Sequence, residues 1–449
     1  MIRAPQIWIP GCLAAPALLV CLALSANAGM SLAAAQAAPA LDLRAVVARA
    51  RRDPPATLAA IRNVEARRHE EAAARHAWLP VVALEGRGLY AHSYQHSEAL
   101  TARGGDTNLH AELVATLNLV DFGRRGHRAD AARHALDAAR EGLHGLQLQA
   151  AVEASRLYLQ VLADQALLQV LRTTFEDRSS LLEAVQALAQ RGLRPDVEVV
   201  RTRAEVTRAR LDISVQEQRM GAGRAALATA LGLRSTADFV LRPSSEAEFQ
   251  VNDELERALV RTLGVDAELR AARSNRAAAL ARAEAARSDL YPELDAVGSA
   301  VSDHGQRWYG NVPEAWGVNV GVGLTVRWTM LDVSSRDRAA TAASDASAAA
   351  ATLAQTELER RLDVTQTVYA VREARAALEQ ADELTSAYEL TVQAERERYM
   401  LGEASLLEVL TAADNLQRVR ASQISARFAH DGARVKLKLL VEGHAAFAR

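Results

Sequence analysis

Cysteine, lysine, aromatic side chains and uninterrupted apolar runs are all scarce in this sequence. The only two cysteines, Cys12 and Cys21, lie in the first 28 of 449 residues, so a chain trimmed after residue 28 carries no disulfide, thiolate metal site or cysteine nucleophile. Lys436 and Lys438 are the only lysines beside 51 arginines, a bias we read as the base composition of the genome. The net charge of −2 and pI near 6.6 leave no strongly basic face for nucleic acid. Aromatics make up 4%, so the apolar content is mostly Ala, Leu and Val, which suits closely packed helices better than one thick core. No stretch of 18 apolar residues follows residue 28, so a membrane crossing by the remaining chain requires a β-barrel. G-x-S-x-G, P-loop and dinucleotide fingerprints are missing, which excludes those enzyme classes. His92 and His96 are four apart, but on a strand they stand roughly 13 Å apart and cannot share an ion. No cofactor and no metal site is expected.

What is present begins with an export signal. Arg3 is followed by an apolar run from Leu13 to Leu24 and by Ser25-Ala26-Asn27-Ala28, an A-x-A-like cleavage site. We read residues 1–28 as a secretory signal peptide, with cleavage as late as about residue 40. Ile9-Pro10-Gly11-Cys12 is a poor context for lipid attachment.

Beyond it the sequence repeats itself over a long period. Leu79-Pro80 has a counterpart in Tyr291-Pro292, 212 positions on. Leu119-Val120-Asp121 aligns with Met330-Leu331-Asp332 at 211, and Arg191-Gly192-Leu193 with Leu401-Gly402-Glu403 at 210. The expected plan is a first repeat, 41–231, with hairpin 81–119, long helix 123–190 and return helix 196–231. A connecting segment, 232–252, follows. The second repeat, 253–443, has hairpin 293–329, long helix 334–400 and return helix 404–442.

The periodicity changes inside each repeat. Polar Ala/Arg-rich helical stretches, 56–78 and 266–289, are stopped by Pro80 and Pro292. Then Val318, Val320, Val322, Leu324 and Val326 alternate with Asn319, Gly321, Gly323 and Thr325, while Leu109, Ala111, Leu113 and Ala115 alternate with His110, Glu112 and Val114. Residues 81–96 and 293–302 read as weaker partner strands, joined through polar loops at about 97–107 and 303–316. In an exported chain such strands also fit a membrane barrel, and a strand of about 12 residues, tilted by about 45°, covers the roughly 25 Å apolar band. Four strands cannot close an aqueous lumen, so other copies must supply the rest. From about 123 to 190 and 334 to 400 the pattern is helical, each rod roughly 100 Å long. Leu157, Val161, Leu168, Leu171, Phe175, Leu182 and Val185 form a coiled-coil seam, with Leu159, Leu162, Ala166 and Val170 on a second stripe.

With these residues in place, the chain resembles the TolC-like outer membrane efflux proteins of Gram-negative bacteria. The likeness rests on the duplicated plan, on Tyr399-Met400-Leu401-Gly402 with Glu408 six positions past the glycine, on Arg191-Gly192-Leu193 with Glu198 likewise, and on the Leu119-Val120-Asp121-Phe122-Gly123-Arg124-Arg125 turn. The resemblance implies an α+β membrane protein: a homotrimer whose four strands per protomer make a 12-stranded outer-membrane β-barrel above a periplasmic α-helical barrel. It implies a conduit without enzymatic activity. Its partners would be a periplasmic adaptor (membrane fusion) protein, an inner-membrane ABC or proton-driven transporter, and outer-membrane lipid. The function implied is export in a tripartite efflux or type I secretion system, with a slight lean to type I protein secretion because no lipid-accepting cysteine is in place. The alternatives are a periplasmic adaptor, which needs one hairpin with small β-domains, and a coiled-coil surface protein, which needs no amphipathic strands.

The same resemblance names positions. Glu408, its first-repeat equivalent Glu198, and Thr411, where some members carry a second acid, would line the periplasmic constriction. Three copies would turn one inward carboxylate into a ring that favours cations. Arg191, Gly192, Leu193, Leu401 and Gly402 would form the turns that contact the adaptor. Where some members have a gating arginine after the second glycine, this chain has Ala404.

Overall fold

The computed structural model describes residues 40–52, 54–97, 100–236, 238–243, 255–307 and 315–443. The expected signal peptide lies outside these residues, as do 237 and 244–252 of the expected connecting segment. None of the described helices is long and apolar enough to cross a membrane.

The element order is β1 (Ala40–Leu41), α1 (Leu43–Ala50), α2 (Pro55–His76), β2 (Val81–Ser97), β3 (Leu100–Val120), α3 (Arg124–Gln190) and α4 (Asp196–Ala230). Then come β4 (Val240–Leu241), α5 (Leu255–Val265), α6 (Ala267–Ser288), β5 (Glu293–Arg307), β6 (Ala315–Arg327), α7 (Val333–Leu401) and α8 (Leu406–Glu442). The 67 residues of α3 and 69 of α7 give rods of about 100 Å each.

β2, β3, β5 and β6 form one antiparallel sheet in that order. Its register fixes the faces. Leu84 pairs with Leu113, Leu113 with Ala300, and Ala300 with Val320, while Val82, Ala115, Gly298 and Val322 form the next row. These residues lie on one face, and it is apolar. The other face carries Glu85, Arg87, His110, Glu112, Asn118 and Asp295. On it Asn118 donates to Asp295 at 2.7 Å, and Glu85 and Glu112, directly opposite each other, are flanked by Arg87 and His110. The apolar face has no cover: Leu84 is 76% exposed and Val322 91%. Both edges, β2 and β6, are unpaired among the described residues.

The strands outrun the alternation that marked them. Residues 100–107, expected to be loop, belong to β3 and pair with β2, because ladder hydrogen bonds join main chains and are indifferent to polar side chains. In the second hairpin 303–307 likewise belong to β5, and 308–314 lie outside the described residues.

A second feature was not anticipated. β1 and β4 pair in parallel, placing part of the expected connecting segment beside residue 41. Around them Leu43, Val47, Tyr158, Leu227, Phe239 and Leu439 close the largest buried cluster, which ties α1, α3, α4 and α8 together. The Tyr158 hydroxyl donates to the Arg242 carbonyl.

The passage from sheet to helix is built by one short segment. Asp121 accepts from the Gly123 N–H at 3.2 Å, the Arg125 N–H at 3.0 Å and Arg125 Nε at 2.8 Å, capping α3 and holding a buried ion pair. Arg125 lies 4.3 Å over the Trp78 ring. Phe122, with a left-handed φ of 52°, stacks on Tyr291 at 5.2 Å. Trp78, Phe122, Tyr291 and Trp328, all more than half exposed, thus gather where the strands end. The basic group after Gly123 is committed to local ion pairs: Arg124 binds Glu293 at 2.5 Å and Arg128 binds Asp289 at 3.3 Å.

Candidate functional site

Both long helices stop at a glycine for the same reason. Gly192 and Gly402 adopt φ of 72° and 84°, where a Cβ is penalised. At the first turn the Gly192 N–H donates to Ala189 O and the Leu193 N–H to Leu188 O. At the second, Gly402 donates to Tyr399 O and Glu403 to Arg398 O. These are paired Schellman bonds that satisfy the last carbonyls of each helix. The chain then re-enters a helix at Pro195 in the first case and at Ser405 in the second.

The two turns lie against each other. Val185, Tyr399, Ala404, Leu406 and Val409 form a buried cluster shared by the α3–α4 and α7–α8 hairpins. The Tyr399 hydroxyl donates to Glu198 Oε2 at 2.7 Å. Arg194 Nη2 donates to the carbonyls of Tyr399 at 2.9 Å and Ala404 at 3.5 Å, and its guanidinium stacks 4.3 Å over the Tyr399 ring. Burial and the adjacent Glu198 carboxylate push the Tyr399 phenol well above its ordinary value, so the bond keeps its proton at any physiological pH.

The sequence-nominated residues fall as follows. Glu198 is half-buried and bonded to Tyr399. Glu408 is exposed and closes a capping box: its Oε2 accepts from the Ser405 N–H at 2.7 Å while Ser405 Oγ accepts from the Glu408 N–H. Thr411 is exposed one turn further along α8. Arg191, Gly192, Leu193, Leu401 and Gly402 are all exposed, with Leu193 at 64% and Leu401 at 75%. Val197, Val200, Met400 and Leu407 are also exposed apolar residues beside the turns. Apolar side chains gathered at a solvent-facing end are the mark of a protein-contact surface.

The Ser405 backbone N–H, then the Ser405 hydroxyl and the nearby Arg398, hold the Glu408 carboxyl below the usual carboxylate range. A depressed carboxylate stabilises the fold above its unfolded pKa and is lost as pH falls through the folded value. Acidification below about pH 4 should therefore speed hydrogen exchange of the amides at 405–409 before those of the α8 interior. Equal rates at pH 3 and pH 7, after correction for intrinsic exchange, would contradict the cap.

Two residues with structural work here, Arg194 and Arg178, have no motif in the sequence, and Tyr399 stands there only as part of the Tyr399-Met400-Leu401-Gly402 run. Arg194 and Tyr399 meet across 205 positions, which no local pattern reveals. Arg178, 5% exposed, joins three helices through Glu205 at 3.0 Å, Asp414 at 2.5 Å and Gln417. The capping box was legible: Ser405-Leu406-Leu407-Glu408 is the S-x-x-E pattern. No metal-holding group of three His, Cys, Asp or Glu exists among the described residues.

The family model described as outer membrane efflux protein matches residues 46–233 and 258–442. No curated protein matches the chain in sequence. Among solved structures, the outer membrane protein VceC of Vibrio cholerae superposes with a TM-score of 0.76 at 15% identity, over 90% of this chain and 96% of that one. The MtrE outer membrane channel of Neisseria gonorrhoeae, in its open state, gives 0.73 at 17% identity, over 90% and 89%. The CmeC outer membrane channel of Campylobacter jejuni gives 0.73 at 14%, over 90% and 86%. At these identities the superpositions show a shared fold.

Proposed function

The chain belongs to the outer membrane efflux protein family, placed in the outer membrane and reaching into the periplasm, and from that premise we propose that three copies assemble into one export channel. The observation that carries this reading is the sheet. It has one apolar face left in the open, one polar face, and two free edges. Lipid accommodates the first, a water-filled lumen the second. Pairing β6 of one protomer with β2 of the next removes both edges, and three copies give 12 strands. The exposed aromatics at the strand ends match the interfacial girdle of such barrels. Exposed Leu358, Leu362 and Tyr369, spaced four and seven along α7, and Leu211 and Val215 on α4 supply apolar contact for neighbouring protomers.

The twofold repeat proposed from the sequence gives each copy two helical hairpins, so a trimer surrounds its lower duct with six. Cargo handed over by an inner-membrane transporter, ABC or proton-driven, would pass through it. A periplasmic adaptor would dock on the exposed turns. We keep type I protein secretion as the first assignment among these machines and drug or metal efflux as the second. The identity of the neighbouring genes separates them.

Reconstitution tests the channel. Purified protein should run as a trimer on an unheated gel, collapse to monomer on boiling, and conduct ions in a planar bilayer. A water-soluble monomer without conductance would overturn the reading. The Glu408 ring has its own readout. The cap keeps this carboxylate ionised, so multivalent cations added to the periplasmic side should block the pore, and Glu408→Ala should weaken that block by about tenfold or more. Block of equal strength in the variant would remove Glu408 from the constriction.

A further inference from the structure

A cavity of about 670 Å³ between α3, α4 and α8 has no part in the channel reading. Its dimensions follow from the helices that bound it. Lining residues run from Val152 to Leu167 on α3 and from Ala421 to Lys436 on α8. At 1.5 Å per residue each wall is roughly 22 Å long. Volume over length leaves a mean cross-section of roughly 30 Å² for the centres of water-sized groups, so the space between the walls is wider than that. One alkyl chain, packed at carbon contacts of about 4 Å, needs roughly 20 Å² and fits.

The chemistry of the walls agrees with the dimensions. Leu159, Leu167, Ile424 and Phe428 line it, with the small Ala163 and Gly432 leaving the space. Gly432 faces Leu159, and Arg178 meets Asp414, so α8 runs antiparallel to α3 and Arg156 and Lys436 share one end of the slot. Arg156 is held by Glu153 at 2.7 Å and Lys436 by Asp363 at 2.7 Å, yet each cation keeps further N–H donors. On the α4 side the lining is Gln216, anchored to Asp164 at 3.1 Å, and Arg219. The result is a long, mostly apolar slot with Arg156 and Lys436 together at one end and a third cation, Arg219, elsewhere in its lining.

We propose that this slot binds a single-chain amphiphile of the long-chain fatty acid class. Its carboxylate meets Arg156 and Lys436, and its chain lies along Leu159, Leu167, Ile424 and Phe428. The volume lies within the range of built ligand pockets.

Photolabelling of the full-length protein in lipid nanodiscs tests this. The probe is a hexadecanoic acid with a diazirine near its tail, followed by proteolysis and mapping of the labelled peptides. The expected result is label on peptides covering 152–167 and 421–436, competed by unlabelled hexadecanoate and not by octanoate. Ala429→Leu, at an exposed lining position, and Ala163→Leu, deeper in, should each cut that label about tenfold. Label on the apolar strand faces should persist in both variants, which reports the membrane-embedded sheet separately from the slot. Slot labelling that survives both substitutions, or that appears only with a diazirine phospholipid in place of the free acid, overturns the proposal. Label confined to the strands overturns it too, and leaves the channel reading intact.

Discussion

Asp121→Ala is expected to cost about 3–5 kcal/mol of stability in the proposed trimer. The carboxylate sits at 5% side-chain exposure and its partner Arg125 at 8%. Alanine removes the cap at the start of α3 and leaves a guanidinium buried against Trp78 without a counter-ion. The same hinge sets the angle between strand and helix through Phe122 and Tyr291, with Ser288 Oγ donating to the Phe122 carbonyl at 3.1 Å. Melting of the heat-modifiable trimer in detergent measures the loss. Asp121→Asn keeps one acceptor and the shape, and should fall between wild type and alanine. Asp121→Ala combined with Arg125→Leu should recover part of the stability, because removing both charges avoids the orphan. A double variant no better than the single one would show that the cost is packing rather than an uncompensated charge. The pair also has a pH signature. Burial alone would raise the Asp121 carboxyl, but the Arg125 backbone N–H, the Arg125 guanidinium and the Gly123 N–H together hold it below the usual range. Its contribution is therefore present above about pH 4 and disappears as pH falls through the folded value.

Why was this hinge readable in advance, and the clamp between the turns not? The hinge is local. Asp121, Phe122, Gly123 and Arg125 lie within five residues, and the shift from a two-residue to a helical period marks their position. The prolines are equally local. α2 ends at His76 and α6 at Ser288, and strands begin at Val81 and Glu293, directly around Pro80 and Pro292. Strand lengths were harder, because residues 100–107 pair through their main chain and their side chains carry no alternation. β1 and β4 are two residues each and 200 positions apart, so nothing in their sequence announces the pairing. Arg178 looks like a surface residue on a helix, and only the arrival of α4 and α8 buries it among Glu205, Asp414 and Gln417. At the turns, the family resemblance named Glu198 and Glu408 as equivalents six positions past a glycine, yet they hold different partners: Glu198 a tyrosine of the other hairpin, Glu408 its own helix start. Position relative to a turn is written in the sequence, and the partner is decided by packing.

Arg194→Ala is expected to raise the resting conductance of the reconstituted channel if the joined turns hold the proposed Glu408 constriction narrow. The arginine stands two residues past Gly192, in the first hairpin, and reaches into the second. There it bonds the carbonyls of Tyr399 and Ala404 and covers the Tyr399 ring. In this chain the cation comes from across the interface, and Ala404 supplies only a carbonyl and a buried methyl group. Loss of the charge-assisted bonds from this one Nη2 and of the cation–π contact removes about 2–4 kcal/mol of closure. That shifts the ratio of open to closed turns by roughly 30- to 1,000-fold. Tyr399→Phe breaks the bond to Glu198 but keeps the ring under Arg194, so its effect should be smaller. Trimer melting should move little in either variant, because the sheet and the Asp121 hinge are untouched. Unchanged conductance in Arg194→Ala, with a trimer of normal melting, would show that the clamp orders the turns without gating them.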